Sequence, residues 1–176
     1  AYSRAKAAGL WQFMAATAML QGLEVNSFID ERYHLYKATD AAFKYLKQLY
    51  TVYNDWALAI AAYNCGPGNI NKAIARSGGR RTFWEIYSFL PAETRSYVPL
   101  FIAVTYIMTY HCEHNLCATF GDLPPQCDTI MVRNNVHFEQ ISNVLNIPIE
   151  MLESLNPQYI CDIVPANAEK PQSILL

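Results

Sequence analysis

Three short segments carry polar side chains where packing alone would favour apolar ones. Gln12 lies in an otherwise aromatic and apolar run, and Tyr63 and Asn64 come just before a glycine-rich turn. Glu93 and Tyr97 stand near the start of a long apolar stretch. Amides hydrogen-bond to hydroxyl and acetamido groups, and aromatic faces stack on sugar rings. These residue types are typical of a saccharide-binding groove, although each segment taken alone is more often explained by helix caps and satisfied buried polar residues.

A histidine and cysteine cluster is the other candidate for chemistry. Zinc prefers such ligands, but this spacing matches no common structural zinc pattern, and we predict no metal site and no cofactor. A group of four basic residues is a further candidate. We expect these side chains to form a solvated surface, and the alternative is that they bind acidic peptides. The first cluster comprises His111, Cys112, His114 and Cys117, and the second comprises Lys72, Arg76, Arg80 and Arg81.

Composition narrows the function classes. The chain has 176 residues, of which 16% are charged, and its formal net charge is −2. Nucleic-acid binding needs a basic face that this balance does not supply, so we expect no nucleic-acid partner. The longest apolar stretch, residues 98–110, is shorter than the roughly 20 residues of a membrane-spanning helix. We therefore expect no transmembrane segment, and we expect a monomer.

The first 114 residues read as one helix after another, without strand-like alternation. Thr39 or Asp40 is expected to cap one helix and Asn54 or Asp55 the next, since these residue types accept hydrogen bonds from free helical N–H groups. The last helix begins at Pro91 and is apolar nearly all round, which predicts a place in the centre of the core. The predicted helices cover residues 9–20, 41–53, 54–65, 69–76, 82–90 and 91–114.

The pattern changes after this helical region. Residues 115–127 contain Gly121, Pro124 and Pro125 and are predicted to form a linker. Residues 128–176 alternate short β-like and amphipathic helical segments, in the order β-α-α-β. The expected fold is therefore mainly α, with a helical domain over residues 1–114 and a small module over residues 128–176.

Five motifs in a fixed order resemble those of a known family. They are GLWQFM at residues 9–14, DER at 30–32, AYNCGPG at 62–68, FWE at 83–85 and LPAETRSYVP at 90–99. In this combination they resemble the lytic transglycosylase domain of soluble lytic and membrane-bound D-type murein transglycosylases. The resemblance implies a lysozyme-like helical fold that cleaves the β-1,4 bond between N-acetylmuramic acid and N-acetylglucosamine in peptidoglycan glycan strands.

The chemistry implied by this resemblance needs one carboxyl group. A single Glu protonates the glycosidic oxygen and then takes the proton of the muramic C6 hydroxyl, which closes a 1,6-anhydro ring. Ordinary glycosidases instead need two carboxylates. The family's Glu would lie upstream of Ala1, so we expect no catalytic residue in this chain and an inactive fragment. The alternatives are a non-catalytic peptidoglycan-binding protein and a hydrolytic lysozyme with Glu93 as second carboxylate.

The resemblance also implies roles for individual residues. It places Ser3 beside the catalytic Glu, Tyr63 and Asn64 along the cleft, and Tyr97 across the groove. It gives Gln12 and Met14 contacts to the sugar beside the scissile bond, and Glu93 a contact to the muropeptide. Asp30 and Arg32 are expected to form a structural ion pair rather than a catalytic one. The implied substrate-binding set is Ser3, Gln12, Met14, Tyr63, Asn64, Glu93 and Tyr97.

The C-terminal module resembles a LysM module, a small unit that binds N-acetylglucosamine. The resemblance rests on spaced apolar residues and on the Asn156-Pro157 pair. Asn135, Val136 and His137 stand where LysM modules carry Gly-Asp-Thr in one wall of the sugar groove. Both resemblances imply a location in the periplasm or the bacterial cell envelope, with an outer-membrane anchor beyond this chain as one form of it.

Overall fold

The computed structural model describes residues 3, 5–117 and 127–176. Within these residues the secondary structure is mainly α-helical, which confirms the predicted class. The chain divides into two compact units, residues 1–42 with 120–176 (unit 1) and residues 43–119 (unit 2). The elements are α1 Ala15–Leu20, α2 Leu35–Tyr53, α3 Trp56–Cys65, α4 Pro67–Arg76, α5 Phe83–Ile86, a 3-10 turn Tyr87–Phe89, α6 Ala92–Thr109, β1 Thr129–Val132, β2 Val136–His137, α7 Phe138–Leu145, α8 Ile149–Leu155, β3 Ile163–Val164 and β4 Gln172–Leu175.

Unit 2 is built around α3. This helix is apolar on nearly every face, and α4, α5 and α6 pack against it. Asp55 caps its N-terminus by accepting the Leu58 N–H at 2.7 Å, which confirms the predicted cap. Gly66 ends the helix with φ +83°, a left-handed angle that glycine adopts without steric cost. The predicted helix break at this turn is therefore confirmed, and α4 begins directly after it at Pro67.

The expectation that the last helix lies at the centre of the core was wrong for most of its length. In α6 the buried residues are Thr94 and Val98, both in its N-terminal half. Apolar composition favours burial, but a helix face is buried only where another element packs against it. The apolar residues of its second half are exposed in the described structure; they are Leu100, Phe101, Ile102, Val104, Ile107 and Met108.

Helix boundaries in the N-terminal region also differ from the prediction. The first helix begins at Ala15 rather than residue 9, because Gly9 (φ +78°) and Gln12 (φ +50°) adopt left-handed angles that interrupt a helix. Helix α2 begins before Thr39, whose hydroxyl accepts the Trp11 indole N–H at 2.8 Å instead of capping a helix. The single helix predicted over residues 82–90 is α5 followed by the 3-10 turn.

The C-terminal module confirms the predicted β-α-α-β order. Strand β1 pairs antiparallel with β4, and β2 pairs antiparallel with β3. Strand β2 has two residues and was not predicted. Most of the predicted linker, residues 118–126, lies outside the described residues, so the domain boundaries remain predictions. No helix in the described part of the chain is long and apolar enough to cross a membrane.

Asn156 connects the second helix of this module to its last strand. Its side chain is fully buried and donates to the carbonyls of Leu152 (2.9 Å) and Leu175 (2.8 Å). Its amide oxygen accepts the Leu175 N–H at 2.8 Å, so one side chain links α8 to β4. The Asn156 side chain thus provides hydrogen-bond partners for backbone groups of α8 and β4 that these elements do not provide for each other.

We predict that Asn156→Ala lowers the free energy of unfolding by about 2–3 kcal/mol, because buried backbone groups lose their partners. Chemical denaturation of the full chain measures this loss. Ser154→Ala is the control, since its exposed hydroxyl bonds only to the Glu150 carbonyl of its own helix. Equal losses in both variants would contradict a special role for Asn156.

Candidate functional site

Residues 5–14 of unit 1 form a compact loop, here called the cleft loop. Ala8 and Phe13 pair as an antiparallel bridge, with N–H to O distances of 3.1 and 3.2 Å. The Gln12 side chain donates to the Gly9 carbonyl at 2.7 Å, which closes the turn between them. Ser3 stabilises the start of the loop, because its hydroxyl accepts the Ala7 N–H at 2.9 Å. A short hydrogen-bonded hairpin therefore carries the residues that the sequence singled out.

The cleft loop presents Gln12 and Met14 on its exposed side. Phe13, between them, is buried, whereas Gln12 is exposed and Met14 is 47% exposed. The left-handed turn at Gln12, whose φ is +50°, and the burial of Phe13 leave the Gln12 and Met14 side chains on the exposed side. Two of the predicted contact residues, Gln12 and Met14, therefore belong to the cleft loop, and a third, Ser3, is hydrogen-bonded to its start.

A buried ion pair supports the loop from below. The Arg32 guanidinium donates to the Asp30 carboxylate, with the shortest contact at 2.6 Å and both side chains below 10% exposure. Its remaining nitrogen donates to the carbonyls of Lys6 and Phe13, each at 3.0 Å. The structure thus confirms the predicted structural role of this pair and adds the loop carbonyls as its partners.

In unit 2, Asn64 is held by a residue thirty positions away. The Thr94 hydroxyl, buried in α6, donates to the Asn64 amide oxygen at 2.8 Å. This bond occupies the acceptor end of the carboxamide and leaves its amino group as the donating end. Thr94 belongs to the LPAETRSYVP motif, but its own role was not predicted. The feature that could have indicated this role is a polar residue at a helix position whose side chain is buried.

Tyr63 lies against two other tyrosines in unit 2. Its ring centroid is 5.7 Å from that of Tyr45 on α2. Burial raises the pKa of the Tyr63 phenol far above its ordinary value, and the nearby Tyr97 and Tyr45 hydroxyls raise it further. Burial also raises the pKa of Tyr97. Both phenols therefore stay protonated and able to donate hydrogen bonds across the physiological pH range.

Packing of α3 against α6 brings Tyr63, Asn64 and Tyr97 together. Glu93 lies one turn before Tyr97 on α6, on the same helix face, and is exposed. Unit 2 thus offers phenol donors, an oriented amide and a carboxylate, which suit a ligand rich in hydroxyl and amide groups. Tyr45 is a member of this cluster that the sequence reasoning missed.

Comparison with known proteins agrees with this chemistry. Residues 1–85 match the transglycosylase SLT domain family, and residues 126–176 match the LysM-like domain of lytic transglycosylase MltD. The chain is 28% identical over 158 residues to the membrane-bound lytic murein transglycosylase D of Escherichia coli strain K12. The protein of that name from Escherichia coli O6:H1 matches equally. The chain is therefore homologous to a lytic transglycosylase over both of these segments. The aligned region is 89% of this chain and 35% of each relative.

In the LysM-like module, the residues that diverge from the LysM pattern make structural hydrogen bonds. His137 caps α7, because its Nδ1 accepts the Glu139 N–H at 3.2 Å while Gln140 accepts the His137 N–H. The Asn135 side chain accepts the Ala166 N–H at 3.1 Å. His137 therefore caps α7, and Asn135 stabilises the segment before it, at the positions where the resemblance to LysM modules implies Gly-Asp-Thr.

The histidine and cysteine cluster after α6 gathers no metal site in the part of the chain that the structure describes. Within those residues no group of three His, Cys, Asp or Glu side chains is suitably placed. The His111 ring nitrogen Nδ1 lies 3.1 Å from the Leu116 carbonyl oxygen instead.

The cleft loop requires glycine at position 9. A Cβ there would lie 1.8 Å from the Arg32 carbonyl oxygen, while at Gly22, which also has positive φ, a Cβ would meet nothing within 4 Å. We predict that Gly22→Ala costs about 1 kcal/mol through backbone strain alone. Gly9→Ala should cost about 3 kcal/mol or more, since the clash with backbone adds to the strain. Denaturation curves of both variants test this; equal costs would contradict the close approach.

The raised pKa of Tyr63 predicts a loss of stability at high pH. An unfolded tyrosine ionises near pH 10, whereas the folded Tyr63 keeps its proton there. Above pH 10 the unfolded state therefore binds fewer protons, and the free energy of unfolding falls as pH rises. One such group contributes a slope of up to about 1.4 kcal/mol per pH unit.

Tyr63→Phe should reduce this slope between pH 10 and pH 12. Denaturation at a series of pH values gives the slope, and Tyr36→Phe, which alters a side chain that is 73% exposed, is the matched control. An unchanged slope in Tyr63→Phe would show that burial of this phenol is not linked to folding.

Proposed function

We propose that this chain is the glycan-binding part of a peptidoglycan lytic transglycosylase, which cleaves the bond between N-acetylmuramic acid and N-acetylglucosamine. One observation carries the proposal: the SLT family match includes Tyr63, a protonated phenol, and Asn64, whose amide is oriented by Thr94. The name of the Escherichia coli relatives, a murein transglycosylase, supports the same substrate. Ser3, Gln12 and Met14 in unit 1 and Tyr63, Asn64, Glu93 and Tyr97 in unit 2 are the proposed substrate-binding residues.

The proposed binding roles follow from hydrogen-bonding capacity. The Asn64 amino group, with its oxygen held by Thr94, donates to a sugar hydroxyl or acetamido oxygen. Tyr63 donates from a phenol that stays protonated. Met14 offers an exposed, flexible apolar surface to a sugar ring. Since carbohydrates present hydroxyls at ring edges and C–H groups on ring faces, this mixture of donors and apolar surface suits a glycan.

The proposed reaction needs one carboxyl group, contributed by residues that precede Ala1. In that reaction the acid gives its proton to the glycosidic oxygen as the C1–O bond breaks. The resulting carboxylate takes the C6 hydroxyl proton, and the C6 oxygen bonds to C1 to form the 1,6-anhydro ring. General acid and base roles pass through one group because the nucleophile is internal. We propose that residues 1–176 by themselves bind glycan without turnover.

The family match also supports a place for the protein in the bacterial envelope, because peptidoglycan lies there. The Escherichia coli relatives are membrane-bound murein transglycosylases by name, and the location proposed here is the periplasmic side of that envelope. We propose that the chain acts as a monomer on glycan strands.

Incubation with purified sacculi tests the function. This chain is compared with a longer polypeptide that includes its preceding residues, and with that polypeptide carrying Glu→Gln at the proposed acid. Mass spectrometry of the soluble muropeptides should show products one water lighter than hydrolysed ones, from the longer polypeptide alone. Sedimentation with sacculi should occur for all three proteins, since binding does not need the acid.

Each other outcome points to a different function. Reducing-end products of full hydrolytic mass would identify a lysozyme, with Glu93 as the candidate second carboxylate. Sedimentation without any product from the longer polypeptide would identify a non-catalytic peptidoglycan-binding protein. If the longer polypeptide neither sediments with sacculi nor releases products, peptidoglycan is excluded as the substrate.

A further inference from the structure

One residue of the transglycosylase segment lies in the core of the LysM-like module. Ile29 is 2% exposed and belongs to the apolar cluster of that module, alongside Phe138, Leu152 and Ile174. It precedes the DER motif and lies inside the SLT match, far from the module in sequence. The module's core is therefore completed by a side chain from outside the module.

The backbone around Ile29 also pairs with the module. Ile29 and Tyr159 form an antiparallel bridge. The Asp30 N–H donates to the Gln158 carbonyl at 2.8 Å, and the Ile160 N–H donates to the Phe28 carbonyl at 2.9 Å. Residues 24–32, here called the docking segment, thus pair with the module through one antiparallel bridge and its flanking hydrogen bonds.

An ion pair lies at the beginning of the docking segment. Lys170 of the module places its Nζ 2.6 Å from the Glu24 carboxylate, with both side chains partly exposed. Glu24 also accepts a hydrogen bond from Asn26 within the segment. The same nine residues therefore contact the module through a buried apolar side chain, backbone hydrogen bonds and an ion pair. A flexible linker would not need all three.

The end of the docking segment supports the cleft loop. Asp30, whose N–H bonds to the module, holds Arg32 through its carboxylate. Arg32 donates to the carbonyls of Lys6 and Phe13, and its own carbonyl lies directly against Gly9. A continuous path of hydrogen bonds and close contacts therefore runs from the module core to the loop that carries Gln12 and Met14.

We propose that the LysM-like module is a positioning element of the transglycosylase: by binding the docking segment, it holds the cleft loop in its glycan-binding conformation. Ile29 is the main positioning residue, and the Glu24–Lys170 pair supports it. The glycan-binding consequence rests on the proposed function, whereas the mechanical link between module and loop does not.

Hydrogen exchange of the full chain tests this link. Ile29→Ala removes the inserted side chain, and it should speed exchange of the Asp30 and Ile160 amides by about tenfold or more. The proposal requires the Ala8 and Phe13 amides of the cleft loop to accelerate with them. Ile70→Ala is the matched control, since Ile70 is fully buried in the core of unit 2 and should leave these four amides unchanged.

A milder pair of variants decides the matter if Ile29→Ala fails to fold. Lys170→Glu opposes Glu24 with a like charge and should speed exchange of the Asp30 and Ala8 amides by about two- to fivefold, the range of an exposed ion pair. The double variant Glu24→Lys with Lys170→Glu should restore the original rates. Faster exchange at Asp30 and Ile160 with unchanged exchange at Ala8 and Phe13, in either experiment, would overturn the proposal.

Binding of a soluble tetrasaccharide of alternating N-acetylglucosamine and N-acetylmuramic acid separates the two proposals. If the original chain binds it, Lys170→Glu should weaken binding and the charge-swapped double variant should restore it. If the original chain binds no glycan but the exchange rates change together, the proposed function fails and the positioning role stands.

Discussion

The buried guanidinium of Arg32 is the constraint on which the N-terminal part of the molecule depends. A charged group removed from water must be paired and hydrogen-bonded, and removal of one partner of such a pair costs about 3–5 kcal/mol. Asp30 neutralises the charge, and the carbonyls of Lys6 and Phe13 take the remaining donors. Each partner is thereby fixed relative to the others, so the cleft loop is held from its buried side while Gln12 stays exposed.

Features set by local chemistry could be predicted from the sequence. Asp55 caps α3 and Gly66 ends it because each acts on residues within four positions, and the pattern of those residues is visible in the chain. The start of α1 could not be predicted in the same way. Residues 9–14 have the apolar spacing of a helix, but contact of Gly9 with Arg32 and the left-handed angle of Gln12 impose a turn.

The candidate site likewise has features that local sequence predicts and features that depend on long-range packing. The motifs identified Tyr63, Asn64 and Tyr97 as residue types suited to sugar, but their grouping depends on α3 packing against α6. Thr94, thirty residues from its partner, orients Asn64 through a contact that no local pattern reveals. The second half of α6 shows the converse: its apolar composition predicted a central position, and composition alone does not say which element covers a face.

Family boundaries and packing boundaries need not coincide, and this chain shows why. The LysM-like match begins at residue 126, yet the apolar core of the module includes Ile29. A module of about fifty residues buries a smaller fraction of its surface than a larger domain does, so an additional buried side chain and backbone bridge contribute disproportionately to its stability. The contacts that give this stability also fix residues 28–30, which precede Arg32 in the chain. A requirement of the module for a complete core therefore becomes, through Arg32, a constraint on the loop that presents Gln12.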